Sequence, residues 1–344
     1  MNARSDERER HTHFNPVEGY DPSQSSREAH TPGLERVSRW IPPYLIPITL
    51  FVVTFVTTTI AGVFWLNKDG FDLENFSLGL PYSLAILFIL ASHEFGHYFA
   101  ARYHKVEATL PFFIPAPPNV LPFGTLGAVI RTRSPIPTRK AMFDIGVAGP
   151  IAGFVATIIV LLIGLTNLPP REYIFSIHPE YAMGIKAEGQ PLTFGNTLLY
   201  SFLSKSFANG YLPPMDEIYH YPFLCVGWFG LLVTAMNLIP VGQLDGGHIT
   251  YAMFGNRHRI VARTAFALLL ASGLAGVLPT LGISVAIGWP GWLLWAGILF
   301  FVIKLDHPSI SDSEELSPNR MLMGWTALAI FILSFSPTPI NAPL

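Results

Sequence analysis

The sequence predicts an all-α polytopic membrane protein of about six to seven transmembrane helices, with an extended, hairpin-like loop at the membrane after the second helix. Three observations predict it. Of 344 residues, 50% are hydrophobic and only 13% are charged, where an average soluble domain carries roughly 25% charged residues. Mean hydropathy is +0.41. Apolar runs of spanning length recur along the chain, and they are continuous, unlike the alternating segments of about ten residues that build a membrane barrel.

The same arithmetic excludes several classes. Low charge with high hydrophobicity is the opposite of a disordered chain. A balance of 21 basic and 23 acidic residues, net −2, gives no footprint for nucleic acid. The single cysteine, Cys225, excludes an intramolecular disulfide and a cysteine-based metal cluster.

Taken in order, residues 1–40 form a polar tail that holds 6 of the basic and 7 of the acidic residues. It has neither the apolar core of a secretory signal nor the acid-poor make-up of a transit peptide. Residues 41–336 form the transmembrane domain, followed by a C-terminal tail over 337–344. A helix needs roughly 20 apolar residues to cross the hydrocarbon core. The candidate spans are 44–66, 76–103, 141–166, 222–244, 260–281, 283–303 and 319–336, the last the shortest.

Basic residues mark the cytoplasmic side. Arg36 and Arg39 precede the first span, and Arg102, Lys105, Arg131, Arg133, Arg139 and Lys140 lie between the second and third. Arg257, Arg259 and Arg263 lie between the fourth and fifth, whereas residues 167–221 hold only Arg171, Lys186 and Lys205 beside five acids. The N-terminus, 104–140 and 245–260 are therefore cytoplasmic, and 167–221 is a small extracytoplasmic connection. Seven spans put the C-terminus outside. The absence of a transit or secretory signal points to a bacterial cytoplasmic membrane.

The 104–140 connection holds Pro111, Pro115, Pro117, Pro118 and Pro122, then the apolar stretch 123–130. It is too apolar for a free loop and too broken by proline for a helix. Extended backbone dipping into the membrane beside a cavity fits, because irregular backbone survives at depth only where protein or water satisfies it. No internal repeat suggests a transporter of duplicated halves.

The second span carries His93-Glu94-Phe95-Gly96-His97. One helical turn, about 6 Å along the axis, separates the two histidines and puts them on one face. Two imidazoles at that spacing bind one zinc, and Glu94 is placed to take a proton from the metal's water. Ionisable residues inside a span are functional by default. A catalytic zinc takes a third protein ligand and keeps one open position. Asp144 and Asp245 are the acids available. Asp245 is preferred: Pro240 and nearby glycines loosen the chain around it, and the charge map puts it on the same side as the histidines. Asp144 has an alternative as interfacial partner of Arg139 or Lys140.

Smaller signals have plainer readings. The Gly149–Gly153 stretch reads as close helix packing, and His104 and His248 as interfacial hydrogen-bond partners. Trp289, Trp292 and Trp295 read as an interfacial belt plus packing. Asp312, Glu314 and Glu315 read as a solvated run without a partner.

His93-Glu94-Phe95-Gly96-His97, followed by Asn237, Pro240 and Leu244-Asp245-Gly246, resembles the site-2 protease family of intramembrane zinc metalloproteases, peptidase family M50. The stretches 127–131 and 143–153 are also similar to that family, in its bacterial branch related to plastid members. The resemblance covers roughly residues 80–260, the expected catalytic core. It implies a three-helix core and one zinc held by His93, His97 and Asp245. It also implies Glu94 as general base and Asn237 as the group that holds the substrate carbonyl or its oxyanion. Residues 109–133 are implied to present substrate, through an edge that includes Gly124, Thr125, Leu126 and Gly127. Neither an inserted peptide-binding domain nor a C-terminal regulatory domain is visible.

The expected activity is hydrolysis of peptide bonds in or near transmembrane segments, the regulated intramembrane proteolysis of that family. Single-span membrane proteins are the expected substrates and the bilayer the setting, with no nucleic-acid partner. The sequence does not specify an oligomeric state. A zinc-containing scaffold that binds membrane proteins without cutting them is the alternative, although His93, Glu94 and His97 are all present and nothing is disabled; a transporter would spread its ionisable residues along several spans.

Overall fold

In hydrocarbon every backbone N–H and C=O must be satisfied within the segment, so continuous apolar runs fold as helices. The structure, a computed structural model, describes residues 42–184, 192–283, 287–308 and 314–341. The polar tail over 1–40, Asp312 and residues 342–344 lie outside the described residues.

Helix α1 spans Leu45–Phe64, α2 Leu80–Tyr103 and α3 Arg139–Thr166. After a stretch of 3₁₀ turns comes the short α4 (Leu198–Phe207). Then follow α5 (Pro222–Leu238), α6 (Asp245–Phe254), α7 (His258–Val277), α8 (Gly291–Ile298, continued by a π-helical turn to Ile303) and α9 (Pro318–Ser334). Their starts are chemically marked. Proline occupies the first turn of α2, α5 and α9, where its missing N–H costs nothing. Thr138 caps α3 by accepting from the Ala141 N–H at 3.1 Å.

Four helical stretches are long and apolar enough to cross a membrane: Leu45–Phe64, Leu73–Tyr103, Arg139–Thr166 and Asp245–Leu281. Pro222–Leu238 and Gly291–Ile303 are shorter apolar helices, and α9 has 17 residues. Apolar side chains are exposed along these helices, as in a chain solvated by lipid, while several hydroxyl side chains lie inside. Ile48 and Val52 on α1 and Val155 and Ile159 on α3 are exposed, whereas Thr54, Thr58, Ser83 and Thr157 are fully buried. The Thr58 and Ser83 hydroxyls join α1 to α2 at 2.7 Å.

The fourth apolar run departs from the expected continuous span over 222–244. Helix α5 ends at Leu238, Ile239 turns to an extended ψ of 123°, and Asp245 opens the separate helix α6. Proline pushes the residue before it out of the helical region, so Pro240 dictates the stop. A 3₁₀ turn, Gly255–Arg257, then separates α6 from α7.

Between α2 and α3, β1 (Phe112–Pro115) and β2 (Thr125–Val129) pair antiparallel, Phe112 opposite Val129 and Phe113 opposite Ala128, with an irregularity at Ile114/Pro115. Phe113 packs edge-on against Phe51 of α1 with centroids 5.0 Å apart. Gly124 makes the turn into β2 at a φ of +72°, and a Cβ there would lie 2.5 Å from the Thr57 carbonyl oxygen. The Thr57 hydroxyl donates to the Gly124 carbonyl at 2.7 Å, which fixes the ribbon to α1. No other strand pairs with this ribbon among the described residues. A second ribbon joins β3 (Thr193–Phe194) to β4 (Ile340–Asn341), so residues 340–341 lie against the 167–221 connection.

Two minor readings need correction. Asp144 does not pair with Arg139 or Lys140. It takes a bidentate contact from Arg320 of α9, both distances 2.8 Å, and a bond from His104 Nε2 at 2.8 Å. Lys140 instead pairs with Glu314, so that part of the acidic run has a partner. Of the tryptophans, Trp292 is a packing residue, 1% exposed and stacked on Phe335, its Nε1 donating to the Pro337 carbonyl at 2.9 Å.

Candidate active site

Helix α2 brings His93, Glu94 and His97 into the interior, each 7% exposed. The interruption of the helix after Leu238 lets Asp245, at the first position of α6, face them. His93 Nε2 and His97 Nε2 lie 3.1 Å apart. The Asp245 carboxylate presents Oδ2 to His93 Nε2 and Oδ1 to His97 Nε2, each at 3.4 Å.

The chemistry of these donors fits a metal. His97 Nδ1 lies 2.7 Å from the Ile145 carbonyl oxygen, which only accepts, so Nδ1 carries the proton and Nε2 offers a lone pair. The ring N–H to a backbone carbonyl is the usual outer bond of a metal-bound histidine. Two imidazole nitrogens and a carboxylate thus converge at 3.1 and 3.4 Å. Tetrahedral zinc with bonds near 2.0–2.1 Å separates its ligand atoms by roughly 3.3 Å. Residue types and spacing both match.

Close approach of α3 makes this packing possible. A Cβ on Gly149 would lie 2.1 Å from His97 Nε2, and one on Gly153 would lie 3.0 Å from His93 Cβ. The small residues read from sequence as a packing stripe are the surface on which both imidazoles rest.

Glu94 lies one residue from the first histidine and is buried with it. Asn237, in the last turn of α5, brings Nδ2 to 3.4 Å from His93 Nε2. Asn237 also lines an apolar cavity of about 380 Å³ between α2, α5, β2 and Trp295 of α8. Thr125, Leu126 and Gly127 line it too; Gly124 does not, because its backbone is spent against α1. Thr125 Oγ1 donates to the Ile114 carbonyl at 2.8 Å and accepts from the Gly127 N–H at 3.0 Å, which shapes this wall.

Asp144 stands apart in its bond to Arg320 and His104, and His248 bonds His307 at 2.7 Å. Two contributors carry no sequence signal: the Ile145 carbonyl is a backbone group, and Trp295 reaches the cavity from α8. A second convergence, His178, Glu217 and His220, lies in the 167–221 connection and also escapes a search for spaced motifs. Burial pushes His220 down to about 4 and raises the Glu217 carboxyl.

Comparison with known proteins gives the family. The family model described as Peptidase family M50 matches residues 81–279. The chain is 33% identical over 260 residues, 75% of its length and 40% of the relative's, to "Probable zinc metalloprotease EGY1, chloroplastic" of Oryza sativa subsp. japonica. It is 29% identical over 260 residues, again 75% of this chain and 43% of the relative, to the protein of the same name from Arabidopsis thaliana. It is 28% identical over 304 residues, 87% of this chain and 51% of the relative, to "Probable zinc metalloprotease EGY2, chloroplastic" of Oryza sativa subsp. indica. The chain therefore spans about half or less of these relatives' length.

Proposed function

From the premise that this chain belongs to peptidase family M50, we propose that it is an intramembrane zinc metalloprotease that cuts membrane proteins in or near their transmembrane segments. The observation that carries the reading is one constellation. Three lone-pair atoms from His93, His97 and Asp245 converge beside Glu94, and Asn237, next to His93, also lines an apolar cavity.

His93, His97 and Asp245 would hold the zinc, which supplies a Lewis acid for the scissile carbonyl and an acidified water. Glu94 takes the proton of the attacking water and passes it to the leaving amine. The Asn237 amide donates to the oxygen that becomes negative in the tetrahedral state, a contribution worth about 3 kcal/mol in comparable sites.

An intact helix hides its peptide bonds, so the substrate must be extended at the cut. The side of β2 away from β1 has no strand partner among the described residues and can pair with an extended segment by strand addition. Thr125, Leu126 and Gly127 line the cavity behind it. Substrates are then single-span proteins whose spans contain Gly, Pro or polar residues. Gly124 contributes indirectly, by anchoring the ribbon to α1.

The membrane architecture belongs to this reading as well. The four long helices together with α5, α8 and α9 make six to seven crossings, α6 being too short to cross alone. The basic residues put 104–140 and 245–260 on the cytoplasmic side of a bacterial inner membrane, with the N-terminus inside and 167–221 outside. Within the chain, residues 80–260 are the catalytic core.

The test uses the purified chain in detergent with a panel of single-span substrates, with and without a chelator. Wild type cleaves and Glu94→Gln does not, although it binds zinc equally. Cleavage by Glu94→Gln, or an intact panel with no zinc bound to wild type, overturns the reading.

A further inference from the structure

We propose that His178, Glu217 and His220 form a second metal site, in the 167–221 connection, that takes a structural zinc ion. The argument is one of donors and acceptors. His220 Nδ1 lies against the Trp65 carbonyl oxygen, which only accepts, so Nδ1 carries the proton and Nε2 a lone pair. His178 Nδ1 lies 3.1 Å from Glu180 Oε1, and a carboxylate imposes the same tautomer. The two Nε2 atoms nevertheless face each other at 2.9 Å.

Glu217 Oε2 completes the set, 3.7 Å from His220 Nε2 and 4.0 Å from His178 Nε2. That oxygen is buried with no hydrogen-bond partner, and Glu217 as a whole is 8% exposed. An unpaired carboxylate oxygen in the interior is costly. A proton shared by the two imidazoles satisfies both nitrogens but leaves Glu217 Oε2 unpaired. A cation among the three satisfies all of them, and the separations bracket the roughly 3.3 Å expected between ligands of tetrahedral zinc.

The surroundings have the form of an outer metal shell. Each histidine donates its far N–H to a carbonyl or carboxylate. The Tyr181 hydroxyl donates to Glu217 Oε1 at 2.9 Å, and its ring stacks on His178 with centroids 4.7 Å apart. The Tyr173 hydroxyl donates to the His220 carbonyl at 2.9 Å. Two imidazoles with one carboxylate select zinc over the oxygen-seeking magnesium and calcium. His178 is partly exposed, which leaves room for a water as fourth ligand.

The ion would tie three separate pieces of chain: the 3₁₀ turns around His178, the residues leading into α5, and the end of α1 at Trp65. Helix α5 carries Asn237 at its other end, 17 residues from His220, or roughly 25 Å of helix. This ion is therefore remote from the catalytic centre and structural in role.

Metal counting tests it. The full chain is stripped with a chelator in detergent, re-equilibrated with zinc alone, and analysed for zinc per chain by mass spectrometry. Wild type should hold two zinc ions, and His93→Ala/His97→Ala one. Glu217→Gln, which keeps a group for Tyr181 to bond, and His178→Gln should each hold one and still cleave substrate when freshly purified. Limited proteolysis of the segment around residues 171–183 should become faster in both, and in wild type after chelation. One zinc in wild type that vanishes in His93→Ala/His97→Ala overturns the proposal. So does retention of two ions by both Glu217→Gln and His178→Gln.

Discussion

Gly149→Ala tests how tightly the fold holds the imidazoles of the proposed zinc site. A Cβ at that position would lie 2.1 Å from His97 Nε2, 2.4 Å from Cδ2 and 2.5 Å from Cε1. Carbon and ring atoms need about 3.5 Å, so ring and α3 must separate by more than an ångström. The ring is not free to turn, because Nδ1 is held 2.7 Å from the Ile145 carbonyl on the same α3. The helices meet tightly on the other side too, where a Cβ on Gly96 would lie 2.6 Å from the Ala148 carbonyl oxygen. Retreat of α3 is resisted, and His97 leaves its place instead.

Zinc ligands tolerate displacements of about 0.2 Å, so His97 is lost as a ligand. Overpacking of this kind costs about 1–3 kcal/mol of stability. Zinc affinity should fall by at least the roughly 100-fold seen when a bond supporting a ligand is removed, and cleavage should fall in parallel. The assay is competitive zinc titration against a chromogenic chelator, with Gly297→Ala as control because nothing lies within 4 Å of its added methyl. Wild-type zinc affinity in Gly149→Ala would refute the reasoning.

Three further outcomes follow from the same geometry. Glu94→Gln should lower kcat by at least about 100-fold with zinc content unchanged, read by mass spectrometry of metal and product. Asn237→Ala should lower kcat by about 10²–10³-fold with little change in KM, since its donor matters only when the oxyanion forms. Arg320→Ala, which strips both guanidinium bonds from the half-buried Asp144, should destabilise the chain by about 1–3 kcal/mol. It should lower the thermal midpoint in detergent while leaving zinc stoichiometry intact.

What the sequence disclosed follows from what chemistry makes periodic. His93, Glu94 and His97 are legible because a helix places residues four apart on one face, and because charge inside an apolar run stands out. Asp245 was reachable through Pro240, although the mechanism differs: the proline ends α5, and a new helix begins at Asp245, the proposed third ligand. A backbone contributor such as the Ile145 carbonyl has no side-chain signature, so only the folded chain reveals it. Asp144 shows the limit of proximity in sequence, since its partner Arg320 lies 176 residues away and outcompetes the adjacent Arg139 and Lys140. His178 and His220 are 42 residues apart in a connection without helical period, so no spacing rule could join them.

Reconstitution into liposomes with a single-span substrate, followed by mass-spectrometric location of the new termini, tests the central claim most directly. The account predicts new termini within or at the edge of the apolar segment, lost with chelator or Glu94→Gln and restored to wild type by zinc alone. Termini only in the substrate's soluble flanks, or product that persists in Glu94→Gln, would contradict it.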